Sequence, residues 1–244
     1  MDKKQLLRNS LAKIMIEHIP QIKSLVLQFP RAEITIKADG TPVTELDLKL
    51  SELVEEIVDN FFPQHTFYSE EKYQDWSFPM AVLDPLDGTR EYIEGRDEWA
   101  VSLALFEDNH FKGEGWVFNP LKDECYTEAC RAPFSSKKNY QGEVSRSEWK
   151  KGLFTGKGSD EFQLTPVGSI AYKLARLSRG QSDFVVSLKP KSIWDIAAGT
   201  ILCQEAGLKF YSQGKEVTSV EPIFGPPLIW CPEELFPELS RLFP

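Results

Sequence analysis

Leu83-Asp84-Pro85-Leu86-Asp87-Gly88-Thr89 follows directly on the apolar run Met80-Ala81-Val82. A short apolar run that ends in acids and turn-forming residues reads as a buried strand delivering its carboxylates to an exposed edge. Sheet proteins commonly place their chemistry at such an edge. Pro85 holds φ at about −65° and donates no hydrogen bond, while Gly88 can take φ values closed to other residues. Both carboxylates, the carbonyl of Leu86 and the hydroxyl of Thr89 can then converge on one small volume. Clustered hard oxygens suit Mg²⁺ or Mn²⁺; thiolates and imidazoles do not. The stretch therefore reads as a divalent-metal site. One reading competes with it, because Asp, Pro and Gly each favour turns for separate reasons and the same letters can spell a turn without a metal. Other acids have to decide between the two.

The chain has 244 residues, 41% of them hydrophobic, enough to bury a sizeable core as one large domain or two smaller lobes. Its net charge of −9 argues against a nucleic-acid polymer or an anionic membrane as the main partner. An acidic protein still binds phosphates when metal ions supply the positive charge. No apolar stretch approaches the roughly 20 residues needed to cross a bilayer. Met1-Asp2-Lys3-Lys4-Gln5 leads into an amphipathic pattern instead of a signal-peptide core, so a cytoplasmic location is expected. Cys125, Cys130, Cys203 and Cys231 form no Cys-x-x-Cys pair and are expected as reduced thiols. His18, His65 and His110 lie apart from one another and from the cysteines. Zinc and a His-dependent nucleophile therefore find no support.

Leu6, Leu7, Leu11, Ile14, Met15, Ile22, Leu25, Val26 and Phe29 recur at helical spacing and predict a long first helix, kinked or broken near Pro20. Glu33-Ile34-Thr35-Ile36-Lys37 alternates like a half-buried strand before an Asp39-Gly40 turn. Thr44 with Asp47 forms a capping box for a second helix that ends before Pro63. Thr66-Phe67-Tyr68 predicts a short strand running into Ser69-Glu70-Glu71, and Trp99–Phe106, Phe111–Phe118 and Glu124–Thr127 predict successive strands. The polar, lysine-rich section 132–151 is the expected boundary between an N-terminal lobe of about 1–140 and a C-terminal lobe of about 141–244, within a single domain spanning 1–244. Beyond it come a helix from Ser169 to Gly180, a strand at Phe184-Val185-Val186, and a small-residue helix opened by Trp194-Asp195 whose composition permits close packing on a sheet. Leu228-Ile229-Trp230 and a proline-punctuated helical terminus close the chain. The order of elements predicts a layered α+β sandwich.

Asp47 sits in the first turn of a predicted helix, Asp195 at the start of another, and Glu70-Glu71 after a strand. Each has an ordinary alternative, since helix starts favour acids and a loop can carry a pair of glutamates. Together with Asp84 and Asp87 they would supply the oxygen shell of a two-metal site. At this point the chain resembles the inositol monophosphatase superfamily. Glu70-Glu71, Asp84-Pro85-Leu86-Asp87-Gly88-Thr89 and Trp194-Asp195-Ile196-Ala197-Ala198-Gly199, in that order, look like its three signatures. Thr41-Pro42-Val43-Thr44-Glu45-Leu46-Asp47 resembles its upstream segment, and Gly168-Ser169-Ile170-Ala171-Tyr172 its later helix. The resemblance implies an α-β-α-β-α layered fold and Mg²⁺-dependent hydrolysis of small phosphate monoesters, with two or three ions per site, Mn²⁺ as a substitute and Li⁺ as an inhibitor. Carried over by position, Glu70, Asp84 and the Leu86 carbonyl would hold one ion, and Asp84, Asp87 and Asp195 a second. Asp47 and Thr89 would orient and deprotonate the attacking water, and Glu70 would contact water on a third, weaker ion. Gly88, Thr89 and Asp195 would meet the substrate. Relatives of this kind are often homodimers.

Within that superfamily, Thr89-Arg90-Glu91-Tyr92-Ile93 looks like the 3'(2'),5'-bisphosphate nucleotidase branch, often called CysQ, in which a basic residue, Glu and an aromatic follow the Thr. Glu98-Trp99-Ala100-Val101-Ser102 and Ser187-Leu188-Lys189-Pro190-Lys191 point the same way. Inositol phosphatases, the main rival, more often have polar-Asn-Phe after the Thr. Ile193 departs from the nucleotidase pattern, where Glu often precedes Trp-Asp, and the resemblance implies a changed residue beside the substrate pocket. A non-catalytic phosphate-binding module is the reading from another class. It predicts a lost metal acid, and none is lost.

Overall fold

The structure, a computed structural model, describes residues 3–29, 33–37, 40–72, 76–129 and 131–244, with residues 3–10 described by their backbone alone. In chain order, α1 (Lys3–Gln28) leads into β1 (Ile34–Ile36), β2 (Pro42–Thr44), α2 (Glu45–Phe61), β3 (Thr66–Ser69), β4 (Met80–Asp87), α3 (Thr89–Ile93), β5 (Ala100–Phe106), β6 (Gly113–Asn119) and β7 (Glu124–Tyr126). Next come β8 (Tyr140–Ser145), α4 (Arg146–Lys150), β9 (Phe162–Val167), α5 (Ile170–Ser178), β10 (Phe184–Ser187), β11 (Lys191–Ser192) and α6 (Ile193–Glu205). The chain closes with β12 (Lys209–Ser212), β13 (Lys215–Glu216), β14 (Ile223–Phe224), β15 (Leu228–Cys231) and α7 (Phe236–Leu242).

Two sheets carry the architecture. The first runs β3-β4-β5-β6-β7, with only the β3–β4 pair parallel. The second runs β13-β12-β15-β10-β8-β9, with β10–β8 and β8–β9 parallel. Because side chains alternate along a strand, each sheet feeds two cores. Ala81, Leu83, Val101 and Leu103 pack with Leu50 and Val54 of α2, while Met80, Val82 and Ala104 turn to Leu174 of α5 and Ile201 of α6. Val185, Phe210 and Trp230 of the second sheet join that central core, and Val186, Tyr211 and Ile229 face Leu239 of α7 on the far side. The layers therefore follow the expected α-β-α-β-α order. Small residues let α6 lie in the middle: a Cβ on Gly115 would sit 2.7 Å from the Ala198 carbonyl oxygen, and one on Gly199 would sit 2.5 Å from Leu174 Cβ.

Several elements depart from the sequence reading. α1 runs unbroken through Pro20. Met15 and Ile22, on either side of it, are both fully buried against the first sheet, and that packing holds the two halves in one helix. β1 is exposed at all three residues instead of half-buried, because it pairs only with β2 in a separate hairpin. Gly40 has a left-handed φ of +82°, and its expected turn partner Asp39 lies outside the described residues. Within 132–151 the chain forms β8 and α4. β8 is hard to recognise because its interior carries Gly142 and the buried Glu143: a Cβ at Gly142 would collide with the Phe184 ring, and Glu143 is paired with Arg176. Cys125, Cys203 and Cys231 are free thiols, and Cys130 lies outside the described residues. Among the described residues no helix is long and apolar enough to cross a membrane.

Candidate active site

β4 does not end in a turn. It continues to Asp87 with a one-residue bulge, Asp84 pairing with Ser102 and Asp87 with Ala100. In a regular strand residues three apart point to opposite faces; one extra residue returns them to the same face. Asp84 and Asp87 thus share the central face, while Leu83 and Leu86 both enter the core under α2. Pro85 sits in the bulge, where a missing N–H costs no ladder bond.

α6 brings the third acid. Asp195 is the third residue of that helix, and its Oδ2 accepts the Ser192 N–H at 3.0 Å, an arrangement favoured at helix starts. One oxygen each from Asp84, Asp87 and Asp195 lies within 4.8 Å of the others. The remaining contacts orient them: Leu86 N–H donates to Asp84 Oδ1 at 3.0 Å, and Asp87 Oδ2 accepts from Ser169 Oγ at 2.5 Å and from Ala171 N–H at 2.6 Å. Every one of the three carboxylates therefore has one oxygen fixed by a backbone N–H and a second left for a ligand. Burial raises the pKa of Asp195 to about 6, with Lys191 opposing, and raises Asp84 well above the carboxylate range, Glu70 and Asp87 adding to it. Crowded, desolvated acids are stabilised by a multivalent cation. An all-oxygen donor set of this kind fits Mg²⁺ or Mn²⁺.

Glu70, Asp84, Leu86, Asp87, Gly88, Thr89 and Asp195 all line one cavity of about 370 Å³. Asp47 stands behind it, 1% exposed, and touches it through Thr89. Thr44 donates to Asp47 Oδ2 from both its N–H (2.8 Å) and its hydroxyl (2.5 Å), completing the capping box of α2. Thr89 Oγ1 lies 3.3 Å from Asp47 Oδ1 and 3.1 Å from the Leu86 carbonyl oxygen. Burial raises the Asp47 pKa to about 6 against the bonds from Thr44. Gly88 takes φ +99° to start α3, and a Cβ there would stand 3.0 Å from Trp99 Cβ.

Glu70, expected on the other ion and not among the three clustered acids, lines the cavity and is paired at 2.9 Å with Lys37, which also holds Glu71 at 2.8 Å, a pairing that the sequence reading did not include. Burial pushes Glu70 up to about 7 with Lys37 opposing. Ile193 is fully buried in the central core and does not line the cavity, so its departure from the nucleotidase pattern changes packing and not the pocket wall. The sequence reading assigned no site role to Ser169, which fixes Asp87, or to Lys173, whose Nζ donates to the carbonyls of Val167 (3.3 Å), Gly168 and Ser169 (2.9 Å). Ser169 had a signal, as the residue before a helix; Lys173, on a helix that also carries Arg176, had none. Lys173 is 1% exposed and burial lowers its pKa to about 8, with Asp87 opposing.

The profile of the inositol monophosphatase family matches residues 7–223. Among curated relatives, the fructose-1,6-bisphosphatase/inositol-1-monophosphatase of Thermotoga maritima is 29% identical over 183 residues, covering 68% of this chain and 69% of its own. The 3'(2'),5'-bisphosphate nucleotidase CysQ of Escherichia coli K12 is 26% identical over 224 residues, covering 84% and 85%. Among solved structures, the Thermotoga maritima IMPase superposes with a TM-score of 0.81 at 22% identity over 94% of this chain and 95% of that one, a likeness of fold.

Proposed function

The chain belongs to the inositol monophosphatase family, a family of metal-dependent phosphomonoesterases, and from that premise we propose that it is a 3'(2'),5'-bisphosphate nucleotidase that converts 3'-phosphoadenosine 5'-phosphate to AMP and phosphate. The observation that carries the reading is the convergence of Asp84, Asp87 and Asp195 on one point of a cavity that Arg90 also lines. The CysQ relative supports the nucleotide branch through the breadth of its match. In this reading Asp84, Asp87 and Asp195 hold one ion; Asp84, Glu70 and the Leu86 carbonyl hold another, and Glu70 reaches a third through water. Mg²⁺, when bound, neutralises phosphate charge and lowers the pKa of water beside it.

The chain's own groups then manage one proton and the phosphate's orientation. The Thr89 hydroxyl has a single proton, and Asp47 Oδ1 and the Leu86 carbonyl compete for it. When the proton points to Asp47, a lone pair of Oγ1 is free to accept a proton from a water in the cavity while Asp47, with a pKa of about 6, takes up the Thr89 proton, which leaves Thr89 and Asp47 neutral and a hydroxide to attack phosphorus. The N–H groups of Gly88 and Thr89 bind phosphate oxygens at the start of α3, and Asp195 completes the substrate wall.

Phosphate release in Mg²⁺ from 3'-phosphoadenosine 5'-phosphate and from inositol 1-phosphate, measured side by side, tests the reading. The nucleotide is expected to be preferred, and Asp87→Asn to abolish turnover of either. Hydrolysis of neither, with the Asn variant indistinguishable from wild type, overturns the catalytic reading. The Thermotoga relative favours a second reading, a sugar or inositol phosphatase, which preference for inositol 1-phosphate would establish.

A further inference from the structure

The cavity carries more positive charge than its acids use. Arg146 is spent on Glu91, at 3.4 Å, and on Glu98; Lys150 faces Glu94 at 3.6 Å. Lys191 stands beside Asp195 and Asp87, and Lys173 is held by three carbonyls. Arg90 and Lys151, which line the cavity, and Lys189, which stands next to Lys151, are different: all three are exposed, and none forms an ion pair among the described residues. They come from three separate elements, α3, the end of α4 and the loop between β10 and β11.

Their meeting is built. The buried Glu148 of α4 accepts from Ser187 Oγ at 2.8 Å and from Leu188 N–H at 2.7 Å, strapping α4 to the loop that carries Lys189. Arg146 straps the other end of α4 to Glu91 of α3, next to Arg90. Two anchors therefore hold like charges together in a chain whose net charge is −9. Lys151 is pushed below the ordinary lysine range, by Lys189 first and by Arg90 in addition. Like charges held at close quarters, opposed only by the buried Glu148 whose carboxylate is already bonded to Ser187 and Leu188, cost free energy until an anion arrives, and clustered lysine and arginine match phosphoryl oxygens.

We infer that Arg90, Lys151 and Lys189 form a subsite at the rim of the cavity for a second phosphoryl group, carried on the same molecule whose first phosphate meets Asp84, Asp87 and Asp195. The inference rests on the phosphatase reading above, but not on the nucleotide as carrier: a nucleoside bisphosphate and a sugar bisphosphate present the same second phosphate.

Substrate pairs that differ only in that group test it: adenosine 3',5'-bisphosphate against adenosine 3'-monophosphate, and fructose 1,6-bisphosphate against fructose 1-phosphate. The full chain in Mg²⁺ is expected to prefer the bisphosphate in one pair, which identifies the carrier. Lys151→Gln/Lys189→Gln is expected to lower the ratio of kcat/KM within that pair by about tenfold or more, through KM and less so at high salt. Lys151→Arg/Lys189→Arg, which keeps the charge, is expected to retain the preference. An unchanged ratio in the Gln variant, or no bisphosphate preference by wild type in either pair, overturns the subsite. If wild type hydrolyses none of the four, the same ratios are read as affinities by calorimetry in Ca²⁺. A bisphosphate preference lost in the Gln variant then upholds the subsite while the phosphatase reading falls, and equal wild-type affinities overturn the subsite.

Discussion

Asp47 and Asp195 occupy the same position in their helices, the third residue, and each satisfies a backbone N–H three residues before it. The ordinary structural explanation of these acids and the chemical one are thus compatible: capping uses Oδ2 of each and leaves Oδ1. Ser169 does comparable double duty, accepting the Tyr172 N–H at 3.0 Å and donating to Asp87. Ser169→Ala is expected to cost about 1 kcal/mol of stability through the lost cap, and to raise the Mg²⁺ concentration needed for half-maximal turnover as Asp87 loses its anchor. Denaturant unfolding and a metal titration check the two effects separately. The buried acids also set a pH dependence. Folded pKa values of about 6 for Asp47 and Asp195 and about 7 for Glu70 lie above those of an unfolded chain, near 4. The folded protein therefore binds more protons than the unfolded chain between these limits, and their contribution, full below about pH 4, is lost as pH rises through 6 to 7. With chelator present, the urea midpoint is expected to fall between about pH 4 and pH 7, and Mg²⁺ to remove most of that fall.

At the scale of elements, the site depends on how closely α6 approaches the first sheet. Gly115→Ala would press a methyl on the Ala198 carbonyl, and is expected to destabilise by about 1–3 kcal/mol and weaken Mg²⁺ binding, because the helix that must shift carries Asp195. Thermal melts with and without the metal measure both. Elements whose pattern is local were legible in the sequence: the apolar stripe and capping box of α2, the uninterrupted apolar run of β4 and the small residues of α6. Those shaped by partners were not. β8 reads as polar because Glu143 is neutralised by Arg176 and Gly142 makes room for Phe184, and both partners lie far along the chain. β1 reads as half-buried because alternation records amphipathicity but not whether anything covers the apolar side. In the site, the acids were legible because chemistry restricts their type and order, whereas Lys37 and Lys173 belong to it through tertiary position alone.

For the molecule as a whole, the three acids join the first sheet to the central helices: Asp84 and Asp87 belong to β4, Asp195 to α6, and Asp87 is also tied to α5. A cation shared among them binds the folded arrangement and not the unfolded chain. Mg²⁺ is therefore expected to raise the melting temperature, more with increasing concentration, and Asp87→Asn to blunt the rise. The bulge in β4 adds a different kind of dependence. Whether Asp84 and Asp87 meet is decided by the number of residues between them taken together with the bulge, not only by their identity. Deleting Pro85 or Leu86 would take away the extra residue and the bulge together, leaving the two acids two residues apart on a restored ladder and still on one face. Straightening the bulge with every residue kept would instead leave the acids an odd step apart on opposite faces, and the site would be lost while its letters survived.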